Sequence, residues 1–353
     1  MMEKVEMSQI LSLIGNGNDL NLQEKQFYSS ILGESPSKGA KSPVLWNRAF
    51  DELGIPAQMY PMDVRTDNLE KVVNALRSDP NYIGGAVAVP FKKILLSLLD
   101  EVEPEGKAIG AINCIYRDGK KLIGCNTDGA GALYSLKTVM DEERLHGCTT
   151  LILGTGGAGS AVAAYMAAAI GSTGKLILAN RTLVNARELA KKLSTQCSVE
   201  LVELPVPSTL LKQANLLINC TSIGFEALHH DDKGGYFLRP YTPLGTVDMN
   251  IRVSTGEHSE FRYMTAAAEQ IKKNLADTLN ALTHLENALI YDIVYQPRQT
   301  ILLDLAASCG LPILNGVGMN LEQAVIAYER VTRAVSLCHS DTKTIREIMK
   351  SVW

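Results

Sequence analysis

Several features that would mark a specialised protein are missing from this chain of 353 residues. Its seven cysteines, at 114, 125, 148, 197, 220, 309 and 338, are scattered and contain no C-x-x-C pair. That argues against a disulfide framework or a zinc ribbon and leads to an expectation of reduced, mostly buried thiols in a cytoplasmic protein. No apolar run exceeds Ala161 to Ile170, which is too short to cross a bilayer, so no membrane association is expected. The opening residues MMEKVEMSQI lack a basic segment followed by an apolar core, and no secretory leader is expected. Basic charge is not in excess: the net charge is −4 and the pI about 5.9. Nucleic acid and anionic lipid are therefore excluded as expected partners. No repeat or low-complexity tract appears. The metal-ligand types gathered in sequence are His229, His230, Asp231 and Asp232. Consecutive residues in a glycine-bounded loop rarely converge on one ion, so no metal is expected.

What is present points to a soluble two-core enzyme. The length and a hydrophobic content of 46% suffice for two cores. The clearest signal is Leu151 to Thr182, LILGTGGAGSAVAAYMAAAIGSTGKLILANRT. An apolar run, Thr149 to Leu153, ends in Gly154, Gly156 and Gly159; an alanine-rich helical segment follows, then a second apolar run from Lys175 to Ala179. In G-x-G-x-x-G the first glycine permits a tight turn, the second lets backbone approach a pyrophosphate, and the third lets helix pack on strand. The pyrophosphate would rest on the amides of the helix N-terminus, here Gly157, Ala158 and Gly159. An NAD site carries an acid at the end of the second strand to hold the ribose 2′-hydroxyl. Here that position reads Asn180, Arg181 and Thr182, with no carboxylate before Glu188. A guanidinium beside a hydroxyl suits a 2′-phosphate, so NADP is expected and NAD is the alternative.

Strand-like and helix-like pieces alternate ahead of this unit: Gln26 to Leu32, a helix to Leu53, Ala57 to Met62, Leu69 to Leu76, Tyr82 to Val89, Lys92 to Leu99, and Ala111 to Tyr116. That alternation predicts an open α/β sheet domain. The expected fold is thus α/β in two domains, an N-terminal substrate domain and a Rossmann-type nucleotide domain. The first is assigned residues 1–128 with 315–353, where 1–26 is a helical or loose leader. The second is assigned 129–314.

Further segments carry a resemblance: Ala86-Val-Ala-Val-Pro-Phe-Lys92, Gly110-Ala-Ile-Asn113, Asn126-Thr-Asp128-Gly129, Asn219-Cys-Thr-Ser-Ile-Gly224, Tyr291-Asp-Ile-Val-Tyr295-Gln-Pro297 and Gly316-Val-Gly-Met-Asn-Leu-Glu-Gln323. With the glycine loop and the Asn-Arg-Thr triplet, in this order, the chain resembles the shikimate/quinate dehydrogenase family. The resemblance implies an oxidoreductase of aromatic amino acid biosynthesis that interconverts a ring ketone and a secondary alcohol on a carbocyclic substrate. It implies Lys92 and Asp128 as the catalytic pair, with Lys92 carrying the proton. Asn113, Tyr295 and Gln323 would line the substrate. Thr221 and Ser222, with Gly316 and Met319, would lie near the nicotinamide. Read from the residues alone, Lys92 is more readily a surface charge, Asp128 an N-cap, and Met319 core.

The departures from the family pattern concern recognition. Where the family has S-x-S-P-x-x-H-N, this chain has Ala40-Lys41-Ser42-Pro43-Val44-Leu45-Trp46-Asn47. Where the family has N-V-T, it has Ala86-Val87-Ala88. Lys41 and Ser42, within a loop that also holds Ser35, Ser37 and Lys38, are the candidates for holding an anionic end. Ala40, Ala88 and Trp46 are expected to offer that end apolar surface. The stretch 226–287 is longer than the family pattern suggests and reads as an insertion serving as a lid, an ornament or a contact in a homodimer. It is expected to contain a strand at Thr246 to Ile251 and a helix at Tyr263 to Leu285.

Overall fold

The computed structural model describes residues 9–20, 25–224, 228–230, 236–238, 241–246, 252–253, 256 and 258–353. The chain divides into two compact units: residues up to Gly131 together with Leu321–Trp353, and Ala132–Asn320.

The first unit is built on β1 (Phe27–Gly33), β2 (Ala57–Asp63), β3 (Tyr82–Val87), β4 (Glu101–Val102), β5 (Cys114–Asp118) and β6 (Lys121–Cys125). They form one sheet in the order β2-β1-β3-β5-β6-β4. β1 runs parallel to β2 and β3, whereas β5 is antiparallel to β3 and β6. β1 is covered along nearly its whole length, which is why it shows no regular alternation of apolar and polar residues. One core packs the helices Ser42–Glu52, Val317–Ala334 and Thr342–Lys350 through Leu45, Trp46, Phe50, Tyr328, Ile345 and Met349. A second core gathers Tyr28, Leu32, Val72 and Leu76 with Ile10 and Ile14. The segment from residue 9 is therefore not a loose leader. Residues 9–13 are helical, and Asn16 donates to the Pro61 carbonyl while accepting from the Asp63 amide.

The second unit contains β7 (Thr149–Leu153), β8 (Lys175–Asn180), β9 (Ser198–Glu203), β10 (Leu216–Asn219), β11 (Leu228–His230), β12 (Tyr236–Leu238), β13 (Arg252–Val253), β14 (Leu289–Asp292) and β15 (Ile313–Leu314). Six of these make a sheet in the order β15-β14-β10-β7-β8-β9, and every pairing in it is parallel. From β7 the chain runs outward one way through β8 and β9, then the other way through β10, β14 and β15. This is the doubly wound order, and its switch point lies between β7 and β10. The Gly157–Ile170 helix packs Val162, Met166 and Ile170 against this sheet. β11, β12 and β13 form a separate antiparallel sheet beside a long helix, Ser259–Leu282. That helix begins at Ser259, earlier than the sequence suggests. Residues 247–251, most of the strand expected at Thr246 to Ile251, lie outside the described residues, as do Asp231 and Asp232. Among the described residues no helix is long and apolar enough to cross a membrane.

Candidate active site

In the first unit, four separate pieces of chain bring polar side chains together. The short helix Phe91–Ile94, just past the end of β3, carries Lys92. Its carbonyl accepts from the Ile112 amide, which brings the backbone before β5, and so Asn113, alongside. β6 ends at Cys125, and Asp128 opens the helix Asp128–Leu136. A carboxylate is favoured there by the amide end of the helix. Gln323 comes from the Val317–Ala334 helix.

Lys92 Nζ donates to Asp128 Oδ2 at 2.5 Å, with the two side chains 16% and 6% exposed. Asp128 Oδ1 accepts from Asn113 Nδ2 at 2.8 Å. The same Nδ2 lies 2.9 Å from Thr127 Oγ1 and 3.1 Å from Gln323 Oε1, while Asn113 Oδ1 accepts from the Thr127 amide at 2.7 Å. Asn126 Oδ1 accepts from the Asp128 amide, and Thr127 Oγ1 donates to the Gln323 carbonyl. Both carboxylate oxygens are thus engaged, and the aspartate is locked in one rotamer. Lys92 is held by one bond; among the described residues no other partner of its ammonium is found. A cation fixed at one hydrogen, with others free, can bind an oxygen and exchange a proton with it. A buried ion pair adds little net stability, because desolvation offsets its attraction, so this one is better explained by chemistry than by folding. Behind Gln323, the Glu322 carboxylate takes two bonds from Arg346, fastening the helix that carries it to Thr342–Lys350.

The loop expected to hold an anion differs from expectation. Asp63 already fills part of it, accepting from the Ser37 amide at 2.9 Å and the Ser37 hydroxyl at 2.5 Å. Lys41 occupies the N-cap position of the Ser42–Glu52 helix, and Ser42 is its buried first residue. Trp46 offers no surface to a ligand. It is 0% exposed, packed edge-on to Tyr328 at 5.4 Å and near Phe50 at 6.2 Å. It shares the core face of the helix with Leu45, Ala49 and Phe50, and this burial corrects its assignment to an apolar ligand-facing wall. Ala40 and Ala88 remain partly exposed at the edge of the same core.

In the second unit the glycine loop follows β7. Gly154 has φ +90°, and a Cβ there would stand 2.8 Å from Thr221 Cγ2. A Cβ on Gly159 would fall 2.1 Å from the Gly154 carbonyl oxygen, so helix and turn fit only without a side chain. At Gly156, just before the helix, nothing among the described residues lies within 4 Å of that position. Open space over the amides of a 14-residue helix is what a pyrophosphate needs. Thr155, between these glycines, has a buried hydroxyl with no partner among the described residues. These features fit a dinucleotide. Asn180 closes β8 and braces the next turn, its Nδ2 donating to the Thr182 carbonyl at 2.8 Å. Arg181 and Thr182 are exposed, and no ion pair holds Arg181 among the described residues. Glu203, which linear spacing hides, ends β9 in register with Asn180 and brings an acid to the same strand end.

Thr221 and Ser222 follow β10, with Ser222 exposed. A Cβ on Gly316 would stand 2.1 Å from the Ile293 carbonyl oxygen. Met319 sits in the core cluster of this unit, where the plain packing reading puts it. Tyr295 is partly buried, and burial pushes its phenol up, so it is a neutral hydroxyl.

A doubly wound sheet with a glycine cradle, joined in one chain to a unit with a buried Lys–Asp pair, defines a dinucleotide-dependent oxidoreductase. Residues 32–115 match the model of the shikimate dehydrogenase substrate binding domain, and residues 137–235 match that of shikimate / quinate 5-dehydrogenase. A shikimate dehydrogenase (NADP(+)) from Carboxydothermus hydrogenoformans is 31% identical over 306 residues, 86% of this chain and 91% of that protein. The chain belongs to the shikimate dehydrogenase family. Two solved structures share the fold. Shikimate 5-dehydrogenase from Thermus thermophilus, in complex with NADP(H) and shikimate, has a TM-score of 0.66 at 24% identity, over 93% of this chain and 100% of that one. The 5-ketofructose reductase of Gluconobacter sp. strain CHM43 has a TM-score of 0.64 at 23% identity, over 94% and 100%.

Proposed function

We propose that this protein is an NADP-dependent dehydrogenase that interconverts a ring ketone and a secondary alcohol on a shikimate-like carbocyclic acid. The observation that carries the reading is the Lys92–Asp128 contact at 2.5 Å, with Asn113 and Gln323 tied into the same network. In the reducing direction the Lys92 ammonium donates a proton to the ketone oxygen as a hydride reaches its carbon. Bound NADPH supplies that hydride. Asp128 holds the ammonium in place and accepts from a neighbouring ring hydroxyl, Asn113 and Gln323 bind ring hydroxyls through their amides, and Tyr295 contributes its phenol. Lys41 and Ser42, at the N-terminus of their helix, receive the anionic end. On this reading the residues up to 128 with 315–353 are the substrate domain. The cofactor rests on Gly154, Gly156, Gly157, Ala158 and Gly159, with Arg181 and Thr182 toward the 2′-phosphate beside Asn180. Thr221, Ser222, Gly316 and Met319 border the nicotinamide. The expected setting is the cytoplasm and the expected assembly a homodimer, the latter read by sedimentation velocity.

Relatives named shikimate dehydrogenase (NADP(+)) support the cofactor and the substrate class. A second reading is NAD with a quinate-like substrate; Glu203 favours its cofactor, because an acid in register with Asn180, the residue before Arg181, opposes a phosphate. Following NADP+ and NAD+ reduction with a panel of cyclohexane polyol acids separates the two. No turnover of any carbocyclic alcohol with either cofactor sinks the proposal.

A further inference from the structure

Asp292 ends β14 beside β10, is fully buried, and has no role in the chemistry above. Its Oδ1 accepts from Asn219 Nδ2 at 2.9 Å and the Val294 amide at 3.0 Å; its Oδ2 accepts from Thr300 Oγ1 at 2.7 Å. Burial raises its carboxyl to about 6. An acceptor oxygen kept in such surroundings needs a reason, and Asn219 supplies one.

Asn219 ends β10, and its amide stitches the turn that follows. Its Oδ1 accepts from both the Thr221 amide (3.0 Å) and the Thr221 hydroxyl (2.7 Å). Its Nδ2 donates to the Ile223 carbonyl at 3.1 Å, and Thr221 Oγ1 accepts from the Ile223 amide. The two faces of an amide are nearly equal in shape, so only the partners decide which end points where. The Val294 amide donates to Asp292 Oδ1 and so keeps it an acceptor, which turns the NH2 end of Asn219 toward Asp292 and its oxygen toward Thr221. The turn so held packs on the first glycine of the nucleotide loop and borders the switch point between β7 and β10, where this topology binds its ligand.

We infer that Asp292 is a positioning residue for the cofactor: by fixing the orientation of the Asn219 amide it holds the Cys220–Ile223 turn in the form that receives the nicotinamide half of NADP(H). The inference rests on the NADP assignment above. It acts through the acceptor Oδ1, which an asparagine keeps, and not through charge. Asp292→Ala is therefore expected to raise the Kd for NADPH and the KM for NADP+ about tenfold, the scale of one lost hydrogen bond to a charged group. The KM for the carbocyclic alcohol stays unchanged. Asp292→Asn is expected within about twofold of the wild type, as its Oδ1 still accepts from Asn219 and its NH2 can donate to Thr300. A folded Asp292→Ala that binds NADPH normally overturns the inference, as does an Asp292→Asn as weak as the alanine variant. If Asp292→Ala does not fold, Thr221→Val removes from the same turn the hydroxyl bond to Asn219 and the acceptor of the Ile223 amide, and an unchanged KM for NADP+ overturns the inference. A wild-type protein that oxidises the alcohol with NAD+ but binds no NADPH removes the NADP assignment, and the same variants are then read against NAD(H).

Discussion

The two units make their functional sites by opposite means. In the first, on the proposed reading, side chains carry the chemistry: Lys92, Asp128, Asn113, Thr127 and Gln323 form one hydrogen-bonded network. In the second, the cradle is defined by side chains that are missing, with clashes at Gly154 and Gly159 and free space at Gly156. A site made of backbone is insensitive to most surface substitutions but intolerant of a single added carbon. A site made of side chains tolerates exchange at its rim while its centre stays fixed. In the first unit the Lys–Asp pair is buried, whereas Ala40 and Ala88, where the resemblance implies hydroxyl-bearing residues, are partly exposed.

The largest effect is expected from Lys92→Ala, which should lower kcat by roughly 10²–10⁴, the range of a lost general acid, with the Kd for NADPH unchanged. A loss confined to KM would mean that Lys92 only binds. The matching test in the second unit is Gly156→Val. Its φ of −69° suits any residue and its Cβ meets nothing, so the melting temperature should hold. The side chain would fill the pyrophosphate's space, and the Kd for NADPH should rise on the order of a hundredfold, as when a few charge-assisted bonds are lost. Gly159→Ala should do the reverse, lowering stability first, because its Cβ runs into the Gly154 carbonyl. If Gly156→Val binds NADPH normally, the contrast between the two kinds of site collapses.

Legibility in the sequence follows the same division. Glycine spacing is a local signal, so the β7-loop-helix unit and the end of β8 can be read within a residue. The Lys92–Asp128 pair is separated by 36 positions and is visible in the sequence only through the family resemblance. β6 is hard to read because Lys121 to Cys125 is short and follows β5 after a tight turn at Gly119. Trp46 departs from expectation because a sequence shows that an aromatic replaces a polar residue but not which side of its helix faces the core. Glu203 and Asp292 are hidden for a common reason: each matters through a neighbouring strand, and strand order is not written in linear spacing.

A smaller effect separates the two cofactor readings. Arg181→Ala should weaken NADP(H) binding by about ten- to a hundredfold, from the roughly 1.5–3 kcal/mol of a charge-assisted bond, and leave NAD(H) binding nearly unchanged. Equal losses for both cofactors would place Arg181 away from the 2′-phosphate and turn attention to Glu203.

The smallest expected effect tests the rim of the side-chain site. Ala40 and Ala88 are partly exposed, so a hydroxyl can be added at either without burying an unpaired group. If the natural substrate differs from shikimate at the end these residues meet, shikimate lacks partners in the wild-type protein and should show a high KM with a near-normal kcat. Binding common to ground and transition states is what would be lost. Ala40→Ser combined with Ala88→Thr should then lower the KM for shikimate about tenfold, from roughly 0.7 kcal/mol for each of two hydrogen bonds. The value of kcat should not move, since the Lys92 network is untouched. Steady-state kinetics with shikimate decide it. A wild-type KM already low, or a double variant that raises it, would mean that Ser42 and Lys41 hold the carboxylate unaided and that the missing hydroxyls were never needed.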